Sequence, residues 1–229
     1  MYDVSLNVVF MQIRSYDTKT QFCFTDHFGL EDWIKAVCQC DFRTFPFARF
    51  PEHVKILQGY TFKPLITMMV LKDNPFMVWM DASIRFKTSN ISQLIEDARR
   101  LDLVCTLCGP SVAFRTLPKT FSYFDEQPCA FIRLGEIGGF FYILRSTPFI
   151  MENVVKPLVA CALLLDCMVP SDGPPLKYLA GGEDLVYGNC HRFDQSVLAI
   201  VLYRSFGTGI YNRTQAFDNK YFEYNPNAE

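Results

Sequence analysis

An aspartate follows five unbroken apolar residues in the stretch FMVWMDASIRF, residues 76–86. A carboxylate fixed at the end of a buried strand can hold a divalent cation or accept a hydrogen bond from a ligand hydroxyl. Ser83, two residues on, points to the same side as Asp81 if the chain stays extended. Magnesium and manganese take oxygen ligands of this kind, usually shared with a substrate diphosphate. The plainer alternative is that Asp81 caps the turn that follows, as aspartate often does.

Two other constellations carry less. Cys105-x-x-Cys108 with Cys190-His191 offers zinc ligands, but zinc spacings normally come as two tight pairs with short loops. Ser-His-Asp hydrolysis has no Gly-x-Ser-x-Gly elbow behind it. Cys161 and Cys167 stand six apart in a helical stretch, a poor spacing for a mutual disulfide, so each is expected to pair elsewhere, with Cys190 a candidate.

The elements that must position Asp81 are readable from residue 61 onward. TFKPLITMMVLKDN predicts a helix with Pro64 in its first turn, where a missing N–H costs nothing. Residues 76–80 and 103–107 predict buried strands by their continuous apolar character. Asn90 or Ser92 is expected to cap a helix running to Arg100. EIGGFFYIL predicts a strand over 137–144, and Ser146-Thr147-Pro148 opens a helix to about Cys167 that Pro157 kinks or splits. Residues 169–187 read as a long loop, and 192–206 as a helix stopped by Gly207. FPFARFPEHV is a Pro-broken aromatic loop. Residues 1–28 show no clear period and read as an irregular segment or insertion, with 3–6 able to close a strand. A short helical pattern follows to Val37, and 38–42 looks like a strand edge. Alternating helix and strand predicts an α/β sandwich with a mostly parallel central sheet, over residues 29–207, with a C-terminal tail over 208–229. In such sheets the ligand crevice lies beyond the carboxyl ends of the strands, where Asp81 falls.

The chain has 229 residues, half of them apolar, enough for one large domain or at most two small ones. Its 22 basic and 24 acidic residues nearly balance, with no basic stripe, so a nucleic-acid partner is not expected. The 22 phenylalanines read first as core filling. No apolar stretch reaches the ~20 residues of a membrane span, and MYDVSLNVVF lacks a basic n-region and a cleavage site. Taken literally, that points to the cytoplasm. Nine cysteines and the sequons Asn90-Ile-Ser92 and Asn212-Arg-Thr214 pull toward a secretory lumen.

The stretch YTFKPLITMMVLKDNPFMVWMDASIRF resembles the central block of an invertebrate-expanded family of glycosyltransferase-like proteins. There an aromatic-Lys-Pro helix precedes a strand ending in Trp-Met-Asp-x-Ser. The likeness continues at EIGGFFYILRSTPFI, VACALLLDCMVP and CHRFDQSVLAIVLYR, covering about residues 45–206 in consistent order. It implies a GT-A-like, Rossmann-related fold, usually lumenal and held by an N-terminal transmembrane anchor, which is expected to lie outside this chain. The first nucleotide-binding strand of such a fold is expected ahead of Met1. Golgi, endoplasmic reticulum lumen or secretion is the implied location.

Enzymes of this fold move a sugar from a nucleotide-sugar to an acceptor, commonly with manganese on an Asp-x-Asp. That motif stands here as Asp81-Ala82-Ser83, with one carboxylate lost; Mn2+ or Mg2+ would then rest on Asp81, with Ser83 binding through water. The resemblance further implies His191 as a second metal ligand, Lys63 as a cation for the donor phosphates, and Asp194-Gln195 as a donor-site or acceptor-site pair. Glu136 is implied as acceptor of a hydrogen bond from an acceptor hydroxyl, or as base. Each also has an ordinary reading: a solvated lysine, a structural histidine, an acidic first helical turn, an exposed strand start. Glu183 and Asp184 belong to a lid or are solvated charge. Two functions are expected: a glycosyltransferase acting on a glycan or protein acceptor, or a catalytically silent lumenal domain that binds carbohydrate or protein.

Overall fold

The computed structural model describes residues 9–11, 22–25, 41–81, 83–109, 111–170, 186–216 and 219–224. Its centre is a four-stranded sheet. β4 (Phe76–Met80) and β6 (Leu103–Leu107) both pair antiparallel with β7 (Ile137–Arg145), which lies between them, and β8 (Thr214–Ala216) runs parallel to β6 at the edge. Three of the four strands thus share a direction, as a mostly parallel sheet requires, yet two of the three pairings are antiparallel. The sheet is mixed because β6 and β7 are consecutive strands joined at one end by residues 108–136, so they pair without a crossover.

Both faces of this sheet are covered, which explains why its strands read as unbroken apolar runs. Met77 and Trp79 of β4 enter the larger core, together with Leu103 and Cys105 of β6 and Tyr142 and Leu144 of β7. Helices α1 (Phe62–Asp73), α5 (Lys156–Leu163) and α6 (Asp194–Phe206) pack on that side. Phe76, Val78, Met80, Val104, Phe141 and Ile143 face the opposite way. They are covered by Leu94 and Ala98 of α2 (Ser92–Leu101) and by a two-stranded sheet of β5 (Ile84–Phe86) and β9 (Phe222–Tyr224). Each fully buried aliphatic or aromatic side chain here contributes roughly 1.5–3 kcal/mol.

Several expectations change at the ends of the chain. The stretch read as irregular contains β1 (Val9–Met11) and β2 (Phe22–Thr25), which form a second sheet with β3 (Asp41–Thr44). The stretch read as a tail contains β8 and β9, which complete the two other sheets. These strands have three or four residues, too few for an alternation to register. The predicted strand at 3–6, the helix at 29–37 and most of the loop at 169–187, including Glu183 and Asp184, lie outside the described residues.

Elsewhere the punctuation of the sequence is obeyed. Thr147 Oγ1 accepts the Ile150 N–H at 3.3 Å and opens α4 (Pro148–Ile150). A π-helical turn, Met151–Val155, leads into α5. Pro157 has no N–H to offer the Asn153 carbonyl, and Ser205 Oγ donates to that oxygen instead at 2.9 Å. Gly207, at φ +54°, ends α6. The start of α2 is less regular: Ile91 occupies the cap position with no side-chain hydrogen bond, so neither Asn90 nor Ser92 caps this helix, and α3 (Pro118–Tyr123) likewise begins without a side-chain cap.

Candidate functional site

Trp79 and Asp81 are two apart on one strand, so they share a face. The consequence is direct: the indole Nε1–H of the fully buried Trp79 donates to Asp81 Oδ1 at 2.7 Å. The Asp81 N–H continues the ladder by donating to the Phe140 carbonyl at 2.9 Å. The greasy run therefore ends in a carboxylate because its own tryptophan needs an acceptor at the strand's end. The Asp81 side chain retains 27% exposure, so one side of it faces outward.

Lys63 meets it from α1. Its Nζ lies 2.9 Å from Asp81 Oδ1, 3.0 Å from Asp81 Oδ2, 3.2 Å from Asp194 Oδ2 and 3.3 Å from the Gly139 carbonyl. The lysine side chain is 6% exposed. Its ammonium also sits 4.7 Å from the Tyr60 ring centre and 5.5 Å from that of Trp79, where ring faces attract cations. Burial alone would lower its pKa, but the charges of Asp194 and Asp81 outweigh that and hold it well above the usual lysine range. Tyr142, directly across from Trp79 on β7, stacks on it at 6.0 Å and hydrogen-bonds Thr67, whose hydroxyl donates to the Lys63 carbonyl at 2.9 Å. The turn of helix carrying the lysine is thereby tied to the strand carrying its partner.

The third wall is a bulge in β7. Cys105 of β6 pairs with Tyr142, but the next residue, Thr106, pairs with Gly138, leaving 139–141 out of that ladder. Bulges recur where a strand must re-aim groups at a site. Gly139 accordingly gives its carbonyl to Lys63 and its N–H to Gln195 Oε1 at 3.4 Å. A Cβ there would stand 2.5 Å from Asp194 Oδ2, so only glycine lets β7 approach the start of α6.

Asp194 and Gln195 occupy the first turn of α6, preceded by Phe193 at φ +48°, ψ −116°, a conformation unfavourable for any side chain larger than glycine. Phe193 is held there by burial and by contacts with Tyr60 and His191. Burial pushes the Asp194 carboxyl up, Lys63 pulls it down, and the balance lies at about 6. Gln195 Nε2 donates to Glu136 Oε1. Glu136 is 3% exposed, and burial raises its pKa against the opposing charge of Arg192 and the Gln195 bond.

Lys63, Asp81, Asp194, Gln195 and Glu136 thus form one connected network. Ser83 follows in a turn that the Ile84 N–H closes by donating to the Asp81 carbonyl at 3.0 Å, so the chain does not stay extended beyond Asp81 as the shared-side expectation required. His191 stands apart. Its Nδ1 accepts the Leu117 N–H at 3.3 Å, which leaves Nε2 to donate to the Met168 carbonyl at 2.9 Å. Burial lowers its pKa to about 4, so the ring is neutral and both nitrogens are engaged. Of the expected Asp81–His191 metal pair, His191 has both nitrogens engaged by backbone groups, and the place between the Asp81 and Asp194 carboxylates is filled by the Lys63 ammonium. The Lys63 ammonium, expected to face a donor phosphate, has protein acceptors for all three of its N–H groups. Glu136, expected near an exposed strand start, is buried.

Among the described residues no group of three or more His, Cys, Asp and Glu side chains is gathered as for a metal ion. Burial keeps Cys105 protonated and pushes Cys108 to about 12, which opposes the thiolates a zinc site needs. Cys161 and Cys167 form a disulfide with each other. The six-residue spacing allows it because α5 ends at Leu163 and the chain turns back, with Asp166 at φ +71°. No helix among the described residues is long and apolar enough to cross a membrane.

Trp79, Thr67, Tyr142 and Gly139 were not singled out from sequence. The Trp-x-Asp spacing and the glycine pair were the available signals, and a cross-strand register was needed to read them together. Comparison of the chain with family models, curated proteins and solved structures gave no match.

Proposed function

We propose that this domain transfers a sugar from a nucleotide-sugar to a glycan or protein acceptor in the secretory pathway, with the donor seated at the end of β4. The observation that carries the reading is the Asp81 carboxylate. It stands at the carboxyl end of a sheet strand, pinned from behind by Trp79 and Lys63, with one side open. Two oxygens provide about four acceptor positions; the indole takes one on Oδ1 and the ammonium one on Oδ2. The remainder suit a sugar or ribose hydroxyl. Asp194, with a carboxyl titrating at about 6, is assigned as the general base for an acceptor hydroxyl. The Cys161–Cys167 disulfide supports an oxidising compartment. The GT-A-like fold belongs to this same proposal.

Calorimetric titration with uridine and guanosine nucleotide-sugars tests it. Wild type is expected to bind at least one, and Asp81→Asn to bind it at least about tenfold more weakly. Wild type binding none of them overturns the reading.

A second reading is a carbohydrate- or protein-binding domain without catalysis. It is favoured by one observation: every N–H of Lys63 and both nitrogens of His191 are committed to the protein. Glycan binding that nucleotide-sugars never accompany would select it.

A further inference from the structure

Manganese-type sites are built from oxygen ligands around an open position. Here the oxygens are present but the position is not open. Asp81 and Asp194 approach from two different elements, β4 and α6, and the Lys63 Nζ stands between them at 2.9 and 3.2 Å. The Gly139 carbonyl completes the set at 3.3 Å. Four oxygen contacts from three elements around one charge resemble the ligand sphere of a metal, with nitrogen at its centre. The aromatic faces of Tyr60 and Trp79 close the remaining sides. A divalent ion arriving at Asp81 would have to displace a buried ammonium held by two carboxylates, or settle for the lone pairs that the indole and the ammonium leave on that one carboxylate. The second carboxylate that a strand-end metal motif would provide is absent, and Ser83 stands in its place. His191, the other residue expected to help, has no nitrogen left to give.

We infer that the ε-ammonium of Lys63 is the resident cation of this site, so that ligand binding at the end of β4 needs no divalent metal. Its charge offsets the two carboxylates permanently and fixes the direction of the Asp81 lone pair that faces the ligand. The inference rests on the reading of this site as a nucleotide-sugar site, but its central claim concerns cations and is testable without any nucleotide.

Two measurements decide it. Manganese electron paramagnetic resonance on the full chain is expected to show no bound Mn2+ attributable to Asp81: any tight binding by wild type would survive unchanged in Asp81→Asn. In Lys63→Met, which removes the ammonium and keeps the stem, the two carboxylates face one vacated position and a new Mn2+ signal is expected, lost again in Lys63→Met/Asp81→Asn. Tight Mn2+ binding by wild type that disappears in Asp81→Asn overturns the inference. Should Lys63→Met not fold, the wild-type comparison alone decides. Nucleotide-sugar titration in EDTA and in Mn2+ gives the second arm. Equal dissociation constants, within about twofold, support the inference; binding that requires Mn2+ overturns it. Absence of nucleotide-sugar binding under both conditions defeats the transferase reading and leaves the manganese measurement to stand by itself.

Discussion

Asp194 and Asp81, contributed by a helix start and a strand end, share a single ammonium: Lys63 Nζ lies 3.2 Å from one and 2.9 Å from the other. Removing the ammonium leaves two carboxylates facing each other with little water. Breaking a buried pair in this way costs about 3–5 kcal/mol. Lys63→Met is expected to lose stability of that order in urea denaturation. The double variant Lys63→Met/Asp194→Asn is expected to recover part of it, because the repulsion between the two carboxylates is then removed. Equal losses in both variants would argue against the shared ion pair.

Asp194 also makes stability depend on pH. Its carboxyl titrates at about 6 in the folded chain against an ordinary 3.8. A raised folded pKa means the folded state holds the proton more tightly. The associated stability is present below 3.8 and is lost as pH rises through about 6. Wild type should therefore lose up to about 3 kcal/mol relative to Asp194→Asn as the pH rises across that window. Denaturation curves of both proteins at a series of pH values check this, and a flat difference would refute it.

Gly139 has no room for a methyl group, since a Cβ would meet Asp194 Oδ2 at 2.5 Å. Gly139→Ala is expected to push the start of α6 away from β7 and cost about 1–3 kcal/mol. The same displacement should weaken ligand binding through Asp81, while Gly209→Ala serves as a control, since its added Cβ would meet only Arg213 Nη1, at 4.0 Å.

The Cys161–Cys167 bridge closes a short loop, with a sequence separation of 6. Loop-closure entropy assigns such a bridge about 2 kcal/mol. Peptide mapping without reduction should recover residues 161 and 167 joined, and Cys161→Ser/Cys167→Ser should melt earlier by an amount of that size. Recovery of either cysteine joined to Cys190 would contradict the fold around α5.

The sequence announced the elements around the site better than the site itself. FMVWM and LVCTL matched β4 and β6 because strands buried on both faces need no alternation to be recognised. The α1 helix and the end of α6 were equally plain, from Pro64 and Gly207. Asp81, Lys63, Asp194, Gln195 and Glu136 were named, but their mutual relations were not. Those depend on the β7 bulge, which moves Gly139 out of the ladder, and on the left-handed turn at Phe193, which no local propensity favours. The surroundings of His191 were hidden for a different reason: its partners are the backbone groups of Leu117 and Met168, and backbone partners leave no residue-type signature. The edges were hidden because three-residue strands such as β5, β8 and β9 exist only through pairing.

Those late strands have a consequence for biogenesis. β5 and β6 emerge from the ribosome long before residues 214–224, the segment that supplies β9 to the one and β8 to the other. Until then the nascent domain carries two unzipped sheet margins, the kind that invite intermolecular pairing. Synthesis stalled just after α6 would yield a chain with its central strands and their helices in hand, and a strong tendency to clump.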